Sequence, residues 1–210
     1  MKHLFALLTA LLLLTGCSQL ETPPEDEDIL FPLEEQADTT EATALPEVFS
    51  LPYLSTQPLN PLACPDGMQQ TVASLLYEGL FHLDGQFTPQ PLLCASYTYD
   101  PEALTYVLTL RQGVVFSDGS PLTAADVKAT LTAARSSARY APRLADVKSI
   151  SAGNGTVTLT LSRPNSALPA LLDIPILKSG TEKKDIPTGT GPYLYDESST
   201  PCLLASQNWW

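Results

Sequence analysis

The run LTYVLTLRQGVVFSDGSPLTAADV, Leu104 to Val127, constrains the fold more tightly than any other stretch of the chain. Leu104, Tyr106, Leu108 and Leu110 alternate with Thr105, Val107 and Thr109, which is the period of a strand with one buried face. GVVFSDG then reads as a short strand running into a turn at Asp118-Gly119. Pro121 keeps the chain extended before a helix. Thr123 caps that helix, and Asp126 follows at the third helical position, as in a capping box with Asp in place of the usual Glu or Gln. Asp126 also sets a carboxylate at the positive end of the helix, which runs on through AADVKATLTAARSSA. Asp118 and Asp126 could be taken for a catalytic pair of acids, but each has a local backbone role, and the structural reading is the stronger one.

The N-terminal part cannot join that fold. MKHLFALLTALLLLTGC has one lysine and then an apolar run from Leu4 to Leu14, the pattern of a secretory signal and too short for a spanning helix. It ends in Leu14-Thr15-Gly16-Cys17, which resembles a bacterial lipobox. That resemblance implies cleavage before Cys17, a diacylglycerol on its sulfur, and stable anchoring at the extracytoplasmic face of a membrane. Residues 1–16 are then the signal and 17–47 a linker. Ten of the chain's 23 acidic residues lie between Ser18 and Glu47, with no Lys or Arg and with prolines at 23, 24, 32 and 46. Such a segment repels itself and buries little, so it reads as a disordered tether. The net charge of −12 is therefore mostly the tether's. Past residue 47 there remain 13 acidic and 10 basic residues, a balance of −3, with no basic cluster that would suit nucleic acid.

Residues 48–210 form the expected domain. VFSLPYL reads as an edge or first strand. GMQQTVASLLYEGLF reads as a helix with Met68, Val72, Leu75, Leu76 and Leu80 on one face and Gly79 near its end. FHLDGQFTPQP reads as a tight hairpin around Asp84-Gly85. VKSISAGNGTVTLTLSRP is a hairpin turning at Gly153-Asn154-Gly155, with Val157, Leu159 and Leu161 on one face. NSALPALLDIP is a short helix interrupted by Pro169. GTGPYLYDESSTPCLLASQNWW suits strands, and an exposed Trp-Trp at its end would be unusual for a soluble domain. The class is α/β, or α+β with a mixed sheet.

Chemistry-bearing residues are sparse. His3 leaves with the signal, so a Ser-His-Asp triad would need His82, which sits beside a hairpin turn and reads as a surface histidine. No P-loop, G-x-G-x-x-G or H-E-x-x-H occurs. In Gly189-Thr190-Gly191 the following Pro192 removes an amide donor that a phosphate cradle would use, so GTGP reads as a bend where backbones approach closely. No C-x-x-C pair suggests zinc. Besides Cys17 there are Cys64, Cys94 and Cys202. A Cys64–Cys94 disulfide and three buried thiols are both open. These residues argue against an enzyme and call for no cofactor.

LNPL at 59–62, LLYEGLF at 75–81, the 104–127 run and GTGPY at 189–193 occur in an order that resembles the family 5 solute-binding proteins of ABC transporters, which include oligopeptide- and dipeptide-binding lipoproteins. The similarity covers residues 48–210. It implies a type II periplasmic-binding-protein fold, whose two lobes close over a solute, often a peptide, before docking on a membrane permease. In this family FSDGSPLTAADV builds the first lobe and is not the main ligand surface. Tyr53, Ser55 and Thr56, with Thr190 and Tyr193 of GTGPY, are implied to face the solute cleft. Family members are more than twice this length. Asn208-Trp209-Trp210 resembles the stretch before their crossover, so the expected content is the first lobe only, with the second lobe missing. The scaffold serves peptides, nickel complexes and sugars alike, so the solute is left open. A surface lipoprotein without a transport role (sensor, adhesin or signal-peptide precursor) is the alternative, and a secreted enzyme using His82 is a third.

Overall fold

The computed structural model describes residues 49–64, 67–196 and 200–210, all within the unit Val48–Trp210. The signal, Cys17, the acidic linker and Val48 lie outside the described residues. The elements are α1 (Gly67–Leu76), β1 (Phe81–Leu83), β2 (Pro89–Pro91), β3 (Cys94–Asp100), β4 (Thr105–Leu110), α2 (Ala124–Ala134), a 3-10 turn (Ala141–Leu144), β5 (Val147–Ala152), β6 (Thr156–Leu161), α3 (Leu168–Leu171), β7 (Tyr193–Asp196) and β8 (Cys202–Ala205). The largest sheet has the order β3-β4-β6-β5, all antiparallel.

The alternation in β4 and β6 does what its period dictates. Tyr106 pairs with Leu159 and Leu108 with Val157, and all four side chains are buried. Val127, Leu131 and Ala134 of α2 pack over this face in one core cluster. Each fully buried leucine there contributes about 2 kcal/mol of apolar transfer free energy. The opposite face carries Thr105, Thr109, Thr156, Thr158 and Thr160, none of them buried. The Tyr99 and Tyr106 rings stack at 4.2 Å. Burial pushes the Tyr106 phenol up to about 12, with Tyr99 and Tyr97 adding to the shift.

The capped start of α2 is present and reaches further than the sequence suggests. Asp126 Oδ2 accepts from the Thr123 amide at 2.9 Å and from its hydroxyl at 2.5 Å, while Oδ1 accepts from the Ser179 amide at 2.8 Å. Asp118 Oδ1 accepts from the Ser120 amide at 3.0 Å, and Gly119 takes φ of 80° in that turn. Lys178 Nζ bonds Asp118 Oδ2 at 2.5 Å and, with Ser120, lowers the Asp118 carboxyl to about 2. Both acids thus combine a local backbone role with a tie to residues 178–179.

Several expectations are corrected. Residues 51–54 form no strand: the Leu54 amide donates to Gln69 Oε1 at 2.8 Å and its carbonyl accepts from Gln69 Nε2 at 3.2 Å, so a side chain takes the place of a neighbouring strand. For this reason the buried face of α1 is Gln69, Val72, Ala73 and Leu76, while Met68 is 41% exposed and Leu75 half-buried. The helix stops at Leu76, and Gly79 instead bridges to Pro175. The hairpin at Asp84-Gly85 forms with a five-residue loop, and Phe87, not a glycine, takes the positive φ of 60°. Pro169 lies in the first turn of α3, where a missing N–H costs nothing, and does not interrupt it. Cys64 and Cys94 are buried thiols in no disulfide and Cys202 is an exposed one, so neither the disulfide nor three buried thiols describes the cysteines.

Other expectations hold. β5 and β6 form the hairpin with Val157, Leu159 and Leu161 inside, and β7 pairs with β8. In LNPL, buried Asn60 donates to the carbonyls of Glu182 and Lys184, each at 2.8 Å, and accepts from the Leu62 amide at 2.9 Å. GTGP is a close backbone approach: the Gly191 amide donates to Leu76 O at 2.9 Å, and a Cβ on Gly191 would stand 2.5 Å from Leu75 O.

Candidate functional site

The residues implied to face a solute sit in different surroundings, some exposed and one buried. The Tyr53 hydroxyl meets that of Tyr195 at 3.2 Å, with the rings edge-on at 6.4 Å. Ser55 and Thr56 are exposed in a turn, and Tyr193 is exposed on β7. Thr190 is 1% exposed, and its hydroxyl has no hydrogen-bond partner among the described residues. A hollow of about 500 Å³ near this N-terminal segment is lined by Pro52, Gly67, Met68 and Thr71 and offers no charged group.

A cleft of about 530 Å³ with much richer chemistry lies at the other end of α1. Its geometry begins at Gly79. A Cβ there would stand 2.9 Å from Phe81 O and 3.1 Å from the Asp173 carbonyl carbon. Glycine therefore lets residues 173–176 run against 78–79, where the Ile176 amide donates to Glu78 O at 2.8 Å. This brings Asp173 to the cleft. From the far side the turn before the 3-10 helix supplies Arg139 and Tyr140, and the helix itself supplies Arg143.

Tyr140 is the hub of that side. Its ring is buried, with the Arg143 guanidinium 5.2 Å and the Arg139 guanidinium 5.8 Å from the centroid. Two cations on one ring gain from its quadrupole, by about 0.5–1 kcal/mol each at exposed sites. Burial raises the Tyr140 phenol, and the two arginines oppose that shift.

The charges in the cleft are unevenly satisfied. Arg143 pairs with Asp173. Glu78 accepts an indole N–H on each oxygen, from Trp209 at 3.1 Å and from Trp210 at 3.0 Å. Arg139 is exposed, and among the described residues no carboxylate pairs with it. The cleft therefore offers an exposed guanidinium, in hydrogen-bond contact with the Tyr140 phenol, beside aromatic walls from Tyr140 and Trp209 and an exposed His82. A bound carboxylate would find both charge and a planar two-donor fork there.

The sequence reading missed this cleft. Its parts are 61 residues apart between Glu78 and Arg139, and Glu78 meets Trp209 across 131. The available signals were the acid in LLYEGLF, which was not singled out, and the terminal Trp-Trp. The tryptophans have a partner: an acid that needs donors and two indoles that need an acceptor satisfy one another.

Comparison with known proteins bears on this architecture. Residues 88–210 match the family described as bacterial extracellular solute-binding proteins, family 5 Middle. The chain is 39% identical over 148 residues to the glutathione-binding protein GsiB of Salmonella typhi, covering 64% of this chain and 29% of that protein. To GsiB of Escherichia coli (strain K12) it is 36% identical over 151 residues, covering 66% and 30%. The chain thus spans about 30% of the length of the curated relatives it matches. Among solved structures, NikZ from Campylobacter jejuni in complex with Ni(L-His) superposes with a TM-score of 0.63 at 24% identity, over 76% of this chain and 35% of that one. The oligopeptide-binding protein AppA from Bacillus subtilis, in complex with a nonapeptide, gives 0.63 at 23% identity, over 76% and 36%. These two likenesses establish a shared mixed α/β fold.

Proposed function

The chain belongs to the bacterial extracellular solute-binding proteins, family 5, and from that premise we propose that it is the solute-binding component of an ABC importer, capturing short peptides or peptide-like solutes and delivering them to a membrane permease. The observation that carries this reading is the cleft at Glu78, Arg139 and Tyr140, where among the described residues the exposed Arg139 guanidinium pairs with no carboxylate. A peptide supplies the missing group at its C-terminus. The glutathione-binding relatives point to the same solute class, since glutathione is a peptide with free carboxylates. The reading assigns the cleft to binding, with His82 exposed on β1 opposite Gln90.

The proposal includes the N-terminal part. Cys17 carries lipid at the extracytoplasmic face of a membrane, residues 1–16 are removed, and 17–47 tether the domain 48–210. The resemblance further assigns Tyr53, Ser55, Thr56, Thr190 and Tyr193 to the solute side. Of these, Ser55, Thr56 and Tyr193 are exposed and open to alanine substitution without loss of packing.

Calorimetric titration of the purified protein with triglycine, glutathione and nickel–histidine tests the reading. Saturable one-to-one binding of the first or second supports it. Binding of nickel–histidine alone would replace the peptide class with a metal complex. No binding of any of the three would remove the transport role and favour a surface lipoprotein of another kind.

A further inference from the structure

Resting on that reading of the cleft, we infer that Trp209 is a solute-contacting wall of the cleft and that Glu78 is the positioning residue that holds it there. Glu78 is 8% exposed. A carboxylate is costly to bury unless its oxygens are hydrogen-bonded. Both are, one to each indole.

The two indoles then diverge. Trp210 packs against the main core, with the Arg111 guanidinium 5.0 Å from its ring centroid. Arg111 is itself fixed, donating from Nε to Leu92 O at 2.9 Å. Trp209 stays 51% exposed and lines the cleft. The ring centroids are 6.2 Å apart, tilted by 51°. One carboxylate thus ties an exposed ring to a half-buried, anchored one. The Ser206 amide, donating to Pro192 O at 2.8 Å, holds the backbone that leads to both.

A half-exposed indole whose N–H is already satisfied has only its faces and edges to offer. Those suit the apolar or planar part of a solute, such as a peptide plane or a thioether or alkyl side chain. Arg139 across the cleft takes the carboxylate. The pairing favours solutes with an apolar or planar group next to a free carboxylate over simple anions.

The chain has only two tryptophans, and both are in the clamp, so their emission reports it without a label. Glu78→Gln keeps the shape and one acceptor oxygen, while Glu78→Ala removes both. In the intact protein, acrylamide quenching should rise by about twofold in Glu78→Ala and by less in Glu78→Gln, with far-ultraviolet circular dichroism unchanged. With glutathione as the probe, Trp209→Ala should weaken binding about tenfold, while Trp209→Phe, which keeps an aromatic face, should weaken it less than about threefold. Glu78→Gln should fall between them.

Quenching unchanged in both Glu78 variants, with native circular dichroism, would show that Glu78 does not hold Trp209. If Arg139→Ala weakens glutathione binding and Trp209→Ala does not, the solute reading stands and the Trp209 wall is overturned. If the wild-type protein binds neither glutathione nor triglycine, the solute reading fails and the contact falls with it. The quenching series decides the clamp in either case.

Discussion

The hydroxyl of Thr130 and the backbone of Leu177 close a two-way hydrogen bond: Oγ1 donates to Leu177 O at 3.0 Å and accepts from Leu177 N at 2.9 Å. Both residues are fully buried. One side chain in the middle of α2 thereby satisfies both polar groups of a residue in an irregular segment that has no strand to pair with. Valine has nearly the same shape but neither donor nor acceptor. Thr130→Val leaves the amide and carbonyl unpaired, at a cost of about 2 kcal/mol. The thermal midpoint should fall by about 4–8 °C for a domain of this size. Thr130→Ser keeps the bonds and should cost less than about 1 kcal/mol. A scanning calorimeter compares the two, and equal losses would show that the methyl group matters more than the hydroxyl.

The GTGP bend depends on its glycines for space. A Cβ on Gly191 would lie 2.5 Å from both Leu75 O and Leu76 C, which are backbone atoms of α1 that cannot move alone. Gly191→Ala is expected to cost about 3 kcal/mol, the upper end for overpacking. Denaturant unfolding should show a lowered midpoint. An unchanged midpoint would mean that α1 and the bend can separate freely.

Three buried tyrosines predict weakness to alkali. Burial raises Tyr77, Tyr106 (to about 12) and Tyr140 above the ordinary phenol value near 10. A raised folded pKa means that the folded state holds its proton longer than the unfolded chain does. The contribution is therefore complete below about pH 10 and is lost as pH rises through the folded values. Among the eight tyrosines, these three should ionise only as the protein unfolds. Phenolate absorbance followed alongside circular dichroism checks this, and their ionisation before any loss of structure would contradict it.

The lipid at Cys17 is testable apart from the fold. Protein extracted from source-cell membranes should lack residues 1–16 and carry a diacylglycerol mass on Cys17. Cys17→Ala should abolish the lipid mass and release the protein from the membrane fraction. Unmodified Cys17 in membrane-extracted protein would remove the anchor.

What the sequence shows follows from the range of each interaction. The alternation of Tyr106, Leu108 and Leu110, and of Val157, Leu159 and Leu161, is readable because a strand repeats every two residues. The Thr123–Asp126 cap is readable because both partners lie within one helical turn. The first-strand expectation for 51–54 failed because propensity cannot anticipate that Gln69, on the next element, takes over the hydrogen bonds of Leu54. Met68 misled for the same reason: the face of α1 is decided by what Gln69 must reach. Apart from the Arg139–Tyr140–Arg143 group, the cleft is held by distant pairs, Arg143 with Asp173 and Glu78 with Trp209 and Trp210, and no local pattern announces them. Of Glu78, Arg139, Arg143 and Asp173, the family motifs contain only Glu78, in LLYEGLF.

Calorimetric titration of the protein purified from its own cells with glutathione, repeated with Arg139→Ala, tests the central claim most directly. The account predicts saturable binding by the wild type and about tenfold or greater weakening when the exposed Arg139 guanidinium is removed. Equal affinity in the two proteins would contradict the assignment of the cleft, and no saturable binding by the wild type would contradict the peptide-like solute itself.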